Sequence, residues 1–173
     1  MEIRALAAGD DRSSFHSGDP DLDRFFQKYA GQNQFRHFLG VTYVALDGNR
    51  VLGYATVAPG DIEIDDMPNS MRKRLGLYPL PILRLARLAV DEPVQGQGLG
   101  GKLLHFVLRL AFRMANELGC VGVVVDAKPG AIGFYAGFGF IPLEAVEGGS
   151  ETRPAPVPMF LSMRAITAAI EEA

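Results

Sequence analysis

Hydrophobic and polar residues follow two periods along the chain, and the longest regular stretch has the helical one. Between Gly101 and Leu118, apolar side chains recur every three or four residues, which predicts an amphipathic helix with one buried face and one polar stripe. His105 lies on that stripe and is predicted to be solvated. An earlier helix is predicted to begin after Asp19, whose carboxylate can cap it, and to end at Gly31.

Short runs of β-branched and aromatic residues, separated by turn residues, predict strands. The predicted strands are residues 3–6, 42–46, 51–57, 62–64, 82–90, 121–126, 138–142 and 159–163, with short helices at 69–77 and 131–136. Asp47-Gly48-Asn49-Arg50 predicts a hairpin turn between the second and third strands, and Pro59-Gly60 predicts the end of the third. With no internal repeat or long linker, this order predicts a single α+β domain over residues 1–173.

Composition narrows the class of protein. Hydrophobic residues make up 48% and charged residues 21%, as in an ordinary globular domain. No apolar run is long enough to cross a bilayer, and the N-terminal residues lack the apolar stretch of a signal peptide, so a cytoplasmic protein without membrane contact is expected. The single cysteine, Cys120, excludes a disulfide framework or zinc site by count, and its apolar neighbours predict an inert buried thiol.

The charges are unevenly distributed although the net charge is −3. Between Asp66 and Asp91 there is no acidic residue, whereas several arginines and a lysine occur there. One interpretation is a basic face that contacts nucleic acid phosphates, and the other is ordinary solvated charge. The candidate phosphate-binding residues are Lys28, Arg36, Arg72, Lys73, Arg74 and Arg84, with Phe35, Phe38 and Tyr78 interleaved.

A glycine-rich stretch, Gln95-Gly96-Gln97-Gly98-Leu99-Gly100-Gly101, joins a predicted strand to the long helix. Glycines allow positive φ and close approach of the backbone, and the amides at a helix N-terminus converge on an anion. A Walker loop is excluded because Lys102 is followed by Leu103, not by Ser or Thr, and the glycine spacing is not that of a Rossmann turn. A turn with a purely structural role is the alternative.

Two motifs in this order resemble the signatures of the GNAT acetyltransferases. Gln95–Gly100 is similar to Gln/Arg-x-x-Gly-x-Gly/Ala, and Ala131–Phe140 is similar to A-x-x-F-Y-x-x-x-G-F. The resemblance implies acetyl-CoA as cosubstrate, no metal, and a mixed, mostly antiparallel central sheet with splayed parallel strands flanked by helices. It also implies that pantetheine binds the backbone near Leu88 and Val90. The residues implied around the pyrophosphate are Val94, Gln95, Gly96, Gly98, Gly100 and Gly101.

Short matches over nearly the whole chain resemble the TacT-like toxins of that family. They are residues 15–18, 22–26, 30–34, 42–44, 79–81, 87–91 and 125–128. The resemblance implies a toxin that acetylates the α-amino group of aminoacyl-tRNA, is neutralised by a small ribbon-helix-helix antitoxin and forms a homodimer. The chain departs from the pattern in its acidic total charge, since such toxins tend to be basic.

Acetyl transfer needs a neutral amine, a polarised carbonyl and a proton for the departing thiolate. Tyr135, in the second signature, is the candidate general acid because a phenol is protonated at neutral pH; its alternative role is in an aromatic core cluster. A backbone N–H near Val90 is the candidate that polarises the carbonyl. None of the candidate bases stands out. A site without a strong base suits an α-amine better than a lysine side chain, because an α-amine has a pKa near 7.7–8.0 and is partly neutral at pH 7. These candidates are Asp91, Glu92, His105 and Glu117.

The acceptor stays open at this stage. Arg87, in a strand just before the glycine-rich stretch, is a candidate residue of the acceptor cleft. The alternatives to a charged tRNA are a small-molecule amine and a protein N-terminus. An alternative from another class of function is a non-catalytic module that binds acyl-CoA or RNA.

Overall fold

The computed structural model describes residues 1–63, 69–72, 79–143 and 156–172. The chain divides into two compact units: unit 1 is Met1–Ala58 with Leu85–Leu108, and unit 2 is Pro59–Arg84 with Arg109–Ala173. Among the described residues, no helix is long and apolar enough to cross a membrane.

In the described parts of the chain, seven strands form a sheet in the order β1-β2-β3-β4-β5-β7-β6, mostly antiparallel with one parallel pair. The strands are β1 Glu2–Ala5, β2 Val41–Asp47, β3 Arg50–Ile62, β4 Leu80–Val90, β5 Gly122–Ala127, β6 Ile141–Pro142 and β7 Val157–Ser162. The helices are α1 Pro20–Arg24, α2 Ala30–Phe35, α3 Asn69–Arg72, α4 Leu99–Glu117, α5 Ile132–Gly137 and α6 Met163–Glu171. This architecture confirms the predicted mixed, mostly antiparallel sheet flanked by helices.

The core of unit 1 is an aromatic cluster between the first helices and β3. Tyr54 of β3 stacks on Phe26 with the ring centroids 4.5 Å apart, and Phe15 meets both rings edge-on. The Tyr54 hydroxyl donates a hydrogen bond to the Leu22 carbonyl at 2.7 Å. These contacts fix the first helical segment against the sheet.

The first helical segment is longer than predicted. Asp19 caps it as expected, accepting hydrogen bonds from the N–H groups of Asp21 and Leu22. The prediction that Gly31 ends it is wrong, because the helix continues through a π-helical turn, Phe25–Tyr29, into α2. Gly31 is instead a point of close approach, since a Cβ there would lie 2.9 Å from the Arg12 guanidinium.

The core of unit 2 gathers around β7. Its buried residues are Ile62, Leu80, Ile82, Val124, Leu143 and Phe160. The prediction that Pro59-Gly60 ends a strand is wrong, because β3 runs on to Ile62. At Gly60 a Cβ would lie 3.2 Å from Ile82, so this glycine makes room for a core side chain.

Three other elements of unit 2 differ from the prediction. Helix α6 was not predicted; it begins after Ser162, whose hydroxyl accepts a hydrogen bond from the Ala165 N–H. The strand predicted from residue 138 is reduced to β6, because the N–H groups of Phe138 and Phe140 donate to the Tyr135 carbonyl and close α5. Residues 64 and 73–77 of the predicted strand and helix lie outside the described residues.

Candidate active site

The glycine-rich stretch forms an open loop between β4 and α4. Strand β4 ends at Val90, a 3₁₀ turn covers Glu92–Val94, and α4 begins at Leu99. Gly96 and Gly98 have φ values of 78° and 85°, which a residue with a side chain adopts only under strain. A Cβ at either position would meet no atom within 4 Å, so the space on that side of the loop is open.

The backbone amides of this loop are available to a ligand. Within the described part of the chain, no acceptor takes a hydrogen bond from the N–H groups of residues 96–101, and the first bonded amide is that of Lys102, which donates to the Gly98 carbonyl at 3.2 Å. These amides lie at the N-terminus of a 19-residue helix, whose dipole favours an anion there. The loop therefore fits the diphosphate of a coenzyme such as acetyl-CoA.

The side chain of Gln95 holds the loop in place by hydrogen bonds. We call Gln95 and Asp91, with the hydrogen bonds that they make, the latch of the loop. Its amide Nε2 donates to the carbonyls of Ser17 and Val90, both at 2.8 Å. The backbone N–H groups of Val94 and Gln95 donate within the 3₁₀ turn, to Asp91 and Glu92. Of the residues predicted around the pyrophosphate, Gly96, Gly98, Gly100 and Gly101 thus carry available amides, whereas Val94 and Gln95 shape the loop.

The second residue of the latch is Asp91, whose carboxylate is buried. Asp91 accepts hydrogen bonds from the His16 N–H and from the Arg50 guanidinium, both at 2.9 Å, and the Glu92 N–H donates to the His16 carbonyl. Because its oxygens are engaged in this way, Asp91 holds the loop and is not free to act as a base. We call residues 16–18 the anchor segment, since the loop hydrogen-bonds to it.

Asp23 is a structural residue that the sequence did not reveal. It is buried, and its Oδ1 accepts hydrogen bonds from the N–H and the hydroxyl of Ser17 at 2.9 and 2.6 Å. Its Oδ2 lies 3.3 Å from His16 Nδ1. The periodicity of the helix could not reveal this role, because the partners of Asp23 belong to the anchor segment, ahead of the helix.

Strand β4 supplies the residues predicted to bind pantetheine. Leu88 and Val90 are half-buried and alternate with the buried Ala89, so their side chains share one face of the strand. In the same strand, the Arg87 guanidinium lies 3.7 Å from the centre of the Phe25 ring, in a cation–π contact.

Arg87 also lines a cavity of about 140 Å³ in unit 1. Its wall includes aromatic and aliphatic side chains of the first helices and of β3 and β4, and the hydroxyls of Thr42 and Thr56, which hydrogen-bond to each other at 2.8 Å. The cavity is therefore mostly apolar with a cation on one side. The role of Arg87 in an acceptor cleft stays a prediction.

Tyr135 lies in α5 of unit 2 and is only 5% exposed. The rings of Phe134 and Phe140 meet it edge-on, with centroids 5.1 and 5.4 Å away. Burial disfavours the phenolate and raises the pKa of Tyr135 from 10.0 to about 12. Tyr135 thus forms an aromatic cluster of unit 2 with Phe134 and Phe140. At neutral pH its phenol is fully protonated and can donate a proton.

The raised pKa of Tyr135 makes the fold sensitive to alkali. Because the folded state holds the phenolic proton more tightly than the unfolded chain, the stabilisation is present below pH 10 and is lost as the pH rises through about 12. Burial also raises the pKa of Tyr54. We expect urea unfolding, followed by circular dichroism, to show the free energy of unfolding falling in this window. Tyr135→Phe should reduce the fall by about 3 kcal/mol, with Tyr29→Phe, at an exposed position, as the control.

The candidate phosphate-binding residues have different surroundings. Lys28 and Arg36 are exposed in unit 1. In unit 2, Arg84 pairs with Asp126 at 3.2 Å and Arg72 is half-buried. Lys73, Arg74 and Tyr78 lie outside the described residues.

Two other candidate bases, His105 and Glu117, lie on α4. The prediction that His105 is solvated is wrong: its Nε2 atom is buried, without a hydrogen-bond partner in the described chain. The adjacent part of α4 is covered by β2, where Tyr43 packs on Phe106 with centroids 4.9 Å apart. Glu117 pairs with Arg113 on the exposed end of α4.

Two other predictions concern chemistry away from the loop. Cys120 is buried as expected, and burial raises the pKa of its thiol, which makes it unreactive. No group of three or more His, Cys, Asp or Glu side chains among the described residues is arranged to hold a metal ion.

The chain belongs to the GNAT family of acetyltransferases: the family model of the acetyltransferase (GNAT) domain matches residues 39–142. It is 34% identical over 138 residues to the tRNA-acetylating toxin of Mycobacterium tuberculosis (strain ATCC 25618 / H37Rv), covering 79% of this chain and 82% of that protein. It is 28% identical over 167 residues to the probable toxin TacT of Sinorhizobium fredii (strain NBRC 101917 / NGR234), covering 90% and 87%. The resemblance to TacT-like toxins is thereby confirmed.

A solved structure agrees with this assignment. The chain superposes on AtaT complexed with acetyl-methionyl-tRNAfMet with a TM-score of 0.85, at 26% identity and with 98% of each chain covered. The predicted GNAT fold and N-acetyltransferase class are confirmed.

Proposed function

We propose that the protein transfers the acetyl group of acetyl-CoA to the α-amino group of aminoacyl-tRNA, and that it acts as a toxin by removing charged tRNA from translation. The observation that carries the proposal is the row of available amides at residues 96–101, which fits the coenzyme diphosphate. The relatives add the acceptor, since one is a tRNA-acetylating toxin and another is AtaT with an acetylated tRNA.

Each group of the chain has a separate task in this reaction. Acetyl-CoA supplies an activated acetyl thioester. The amides of residues 96–101 hold its diphosphate, and the backbone of Leu88 and Val90 aligns the pantetheine. An N–H near Val90 polarises the thioester carbonyl while the amine nitrogen attacks the carbonyl carbon.

The proton balance needs one acid and one acceptor. As the carbon–sulfur bond breaks, Tyr135 donates its phenolic proton to the thiolate and regains one from solvent. The amine loses its proton to water, which suffices because an α-amine with a pKa near 8 is partly neutral at pH 7. The products are an acetylated aminoacyl-tRNA and free coenzyme thiol.

The cavity beside Arg87 receives the aminoacyl group in this proposal. Its apolar wall suits an uncharged side chain, and the Arg87 guanidinium faces a group of opposite polarity, such as the ester oxygens. The exposed Lys28 and Arg36 contact the phosphates. The other candidate phosphate contacts are Arg72, Lys73, Arg74 and Arg84, and the charge of Arg84 is partly compensated by Asp126.

The biological setting follows from the same resemblance. We assign the whole chain to one acetyltransferase domain that acts in the cytoplasm as a homodimer. A small ribbon-helix-helix protein is its antitoxin. The acidic total of the chain is compatible with tRNA binding because the cations are concentrated in particular stretches.

The test is acetyl transfer to purified charged tRNAs. With labelled acetyl-CoA, we expect label on at least one aminoacyl-tRNA, and nuclease digestion followed by mass spectrometry should place the acetyl group on the α-amine of the aminoacyl-adenosine. Uncharged tRNA is the control and should take no label. A protein that acetylates peptide N-termini or small amines but none of the charged isoacceptors would exclude the toxin function and retain the family chemistry.

A further inference from the structure

An exposed aromatic segment follows α2 in unit 1. Phe38 is 84% exposed and the next residue, Leu39, is 62% exposed, while Phe35 at the end of α2 is also exposed. We call Phe35, Phe38 and Leu39 the platform. Single exposed apolar side chains are common on protein surfaces, whereas large ones that are adjacent and exposed usually mark a surface that binds a partner.

The backbone holds the Phe38 ring outward in a fixed conformation. Phe38 has a φ of 54°, the one left-handed residue other than glycine in the described chain. The preceding and following residues are tied down: the His37 N–H donates to the Gln32 carbonyl at 3.1 Å, and the Leu39 N–H donates to the Asn33 carbonyl at 3.0 Å. A strained residue held by its neighbours is typical of a functional position.

The chain around the platform carries cations and no acids. Arg36 lies within the platform sequence and is exposed, Lys28 is exposed in the preceding helical segment, and the stretch between Asp23 and Asp47 contains no acidic residue. Exposed aromatic rings interleaved with cations are the combination that binds single-stranded nucleic acid, where rings stack on bases and cations meet phosphates. A purely apolar protein partner would not need these charges.

The platform is continuous with the cavity beside Arg87. Leu39 belongs to the platform and lines the cavity, together with Asn33 and Gly40. In an aminoacyl-tRNA the amino acid is esterified to the ribose of the terminal adenosine, so a base lies one sugar away from the reacting amine. An aromatic ring at the edge of the acceptor cavity is therefore in a position to stack on that base.

We infer that the platform stacks the unpaired 3′-terminal bases of the charged tRNA, with Phe38 under the terminal adenine. The inference rests on the proposed function for the identity of the acceptor. Stacking does not distinguish bases by hydrogen bonding, so the platform positions the ester of any tRNA that shares the common 3′ end. Phe38 is accordingly a positioning residue and takes no part in proton transfer.

The experiment uses an uncharged tRNA whose terminal adenine is replaced by 2-aminopurine, a base whose fluorescence is quenched by stacking. We expect the unmodified protein to bind this probe and to quench it. Phe38→Ala should weaken binding about 5- to 100-fold and abolish the quenching, whereas Phe38→Trp should preserve both. Leu118→Ala is the matched control, because Leu118 is equally exposed at 84% but lies in unit 2.

Two further measurements separate stacking from a structural role. Phe38→Gly removes the ring and suits the positive φ, so it should retain the melting temperature and lose the quenching. Sedimentation of each variant reports its oligomeric state. The inference is overturned if Phe38→Ala binds and quenches like the unmodified protein, if the unmodified protein fails to quench, or if the variant changes only the oligomeric state.

The outcomes for the two proposals are distinct because this readout requires no acetyl transfer. Binding and quenching that persist in a protein unable to acetylate any charged tRNA would remove the proposed function and leave the platform in place. Acetylation of charged tRNA by Phe38→Ala with an unchanged KM would remove the platform and leave the function.

Discussion

Replacing Tyr135 by phenylalanine is expected to lower kcat for acetyl transfer by about 10²- to 10⁴-fold and to leave the affinity for acetyl-CoA unchanged. The variant keeps the ring that Phe134 and Phe140 contact, so the aromatic cluster remains packed. What it loses is the phenolic proton, which burial keeps in place up to a pKa of about 12. Release of the coenzyme thiol, followed with a thiol-reactive chromophore, measures kcat, and titration calorimetry measures the affinity.

Tyr43→Phe is the control for the loss of a phenolic hydroxyl. Tyr43 is half-buried in β2 with its ring on Phe106, a contact that phenylalanine preserves. Its turnover should match that of the unmodified protein. Equal turnover of Tyr135→Phe would assign Tyr135 to the aromatic cluster alone and leave the thiolate to take its proton from water.

Gly98→Ala is expected to weaken acetyl-CoA binding about 10- to 150-fold, which corresponds to losing a hydrogen bond between an amide and a charged group. Gly98 has a φ of 85° and lies amid the available amides of residues 96–101. A methyl group there meets no protein atom within 4 Å, so it projects into the space left for the diphosphate. Calorimetry with acetyl-CoA and with free coenzyme A measures the loss.

Gly48→Ala separates this effect from backbone strain. Gly48, in the hairpin turn between β2 and β3, also has a positive φ, 60°, and open space where a Cβ would stand. Both variants should therefore lose a similar amount of stability, about 1 kcal/mol. If Gly48→Ala lost as much coenzyme affinity as Gly98→Ala, the loop would not be the diphosphate site.

Local signals in the sequence were sufficient for much of the fold. The long helix was predicted to within two residues at its start because its apolar periodicity is an internal property of the segment. The hairpin turn at Gly48 was predicted for the same reason. Gly31 and Gly60 were misread as end signals because their role depends on Arg12 and Ile82, which approach from elsewhere in the chain.

In the candidate site, too, the features set by local sequence were predicted and those set by distant residues were not. The glycine-rich loop was predicted because glycine spacing before a helix is itself the physical requirement for an amide cradle. The latch was not predicted, since Gln95 bonds to a carbonyl 78 residues earlier and Asp91 to an amide 75 residues earlier. The contact of Arg87 with Phe25 likewise exists only after helix and strand have packed.

The anchoring of the coenzyme loop couples two parts of the chain thermodynamically. The anchor segment supplies the Ser17 carbonyl to Gln95 and the His16 amide to Asp91, so part of the support of the open loop depends on the conformation of residues 16–18. A molecule that binds and displaces those residues therefore lowers coenzyme affinity from outside the coenzyme site. By reciprocity, a bound coenzyme protects residues 16–18 from displacement by the same free energy.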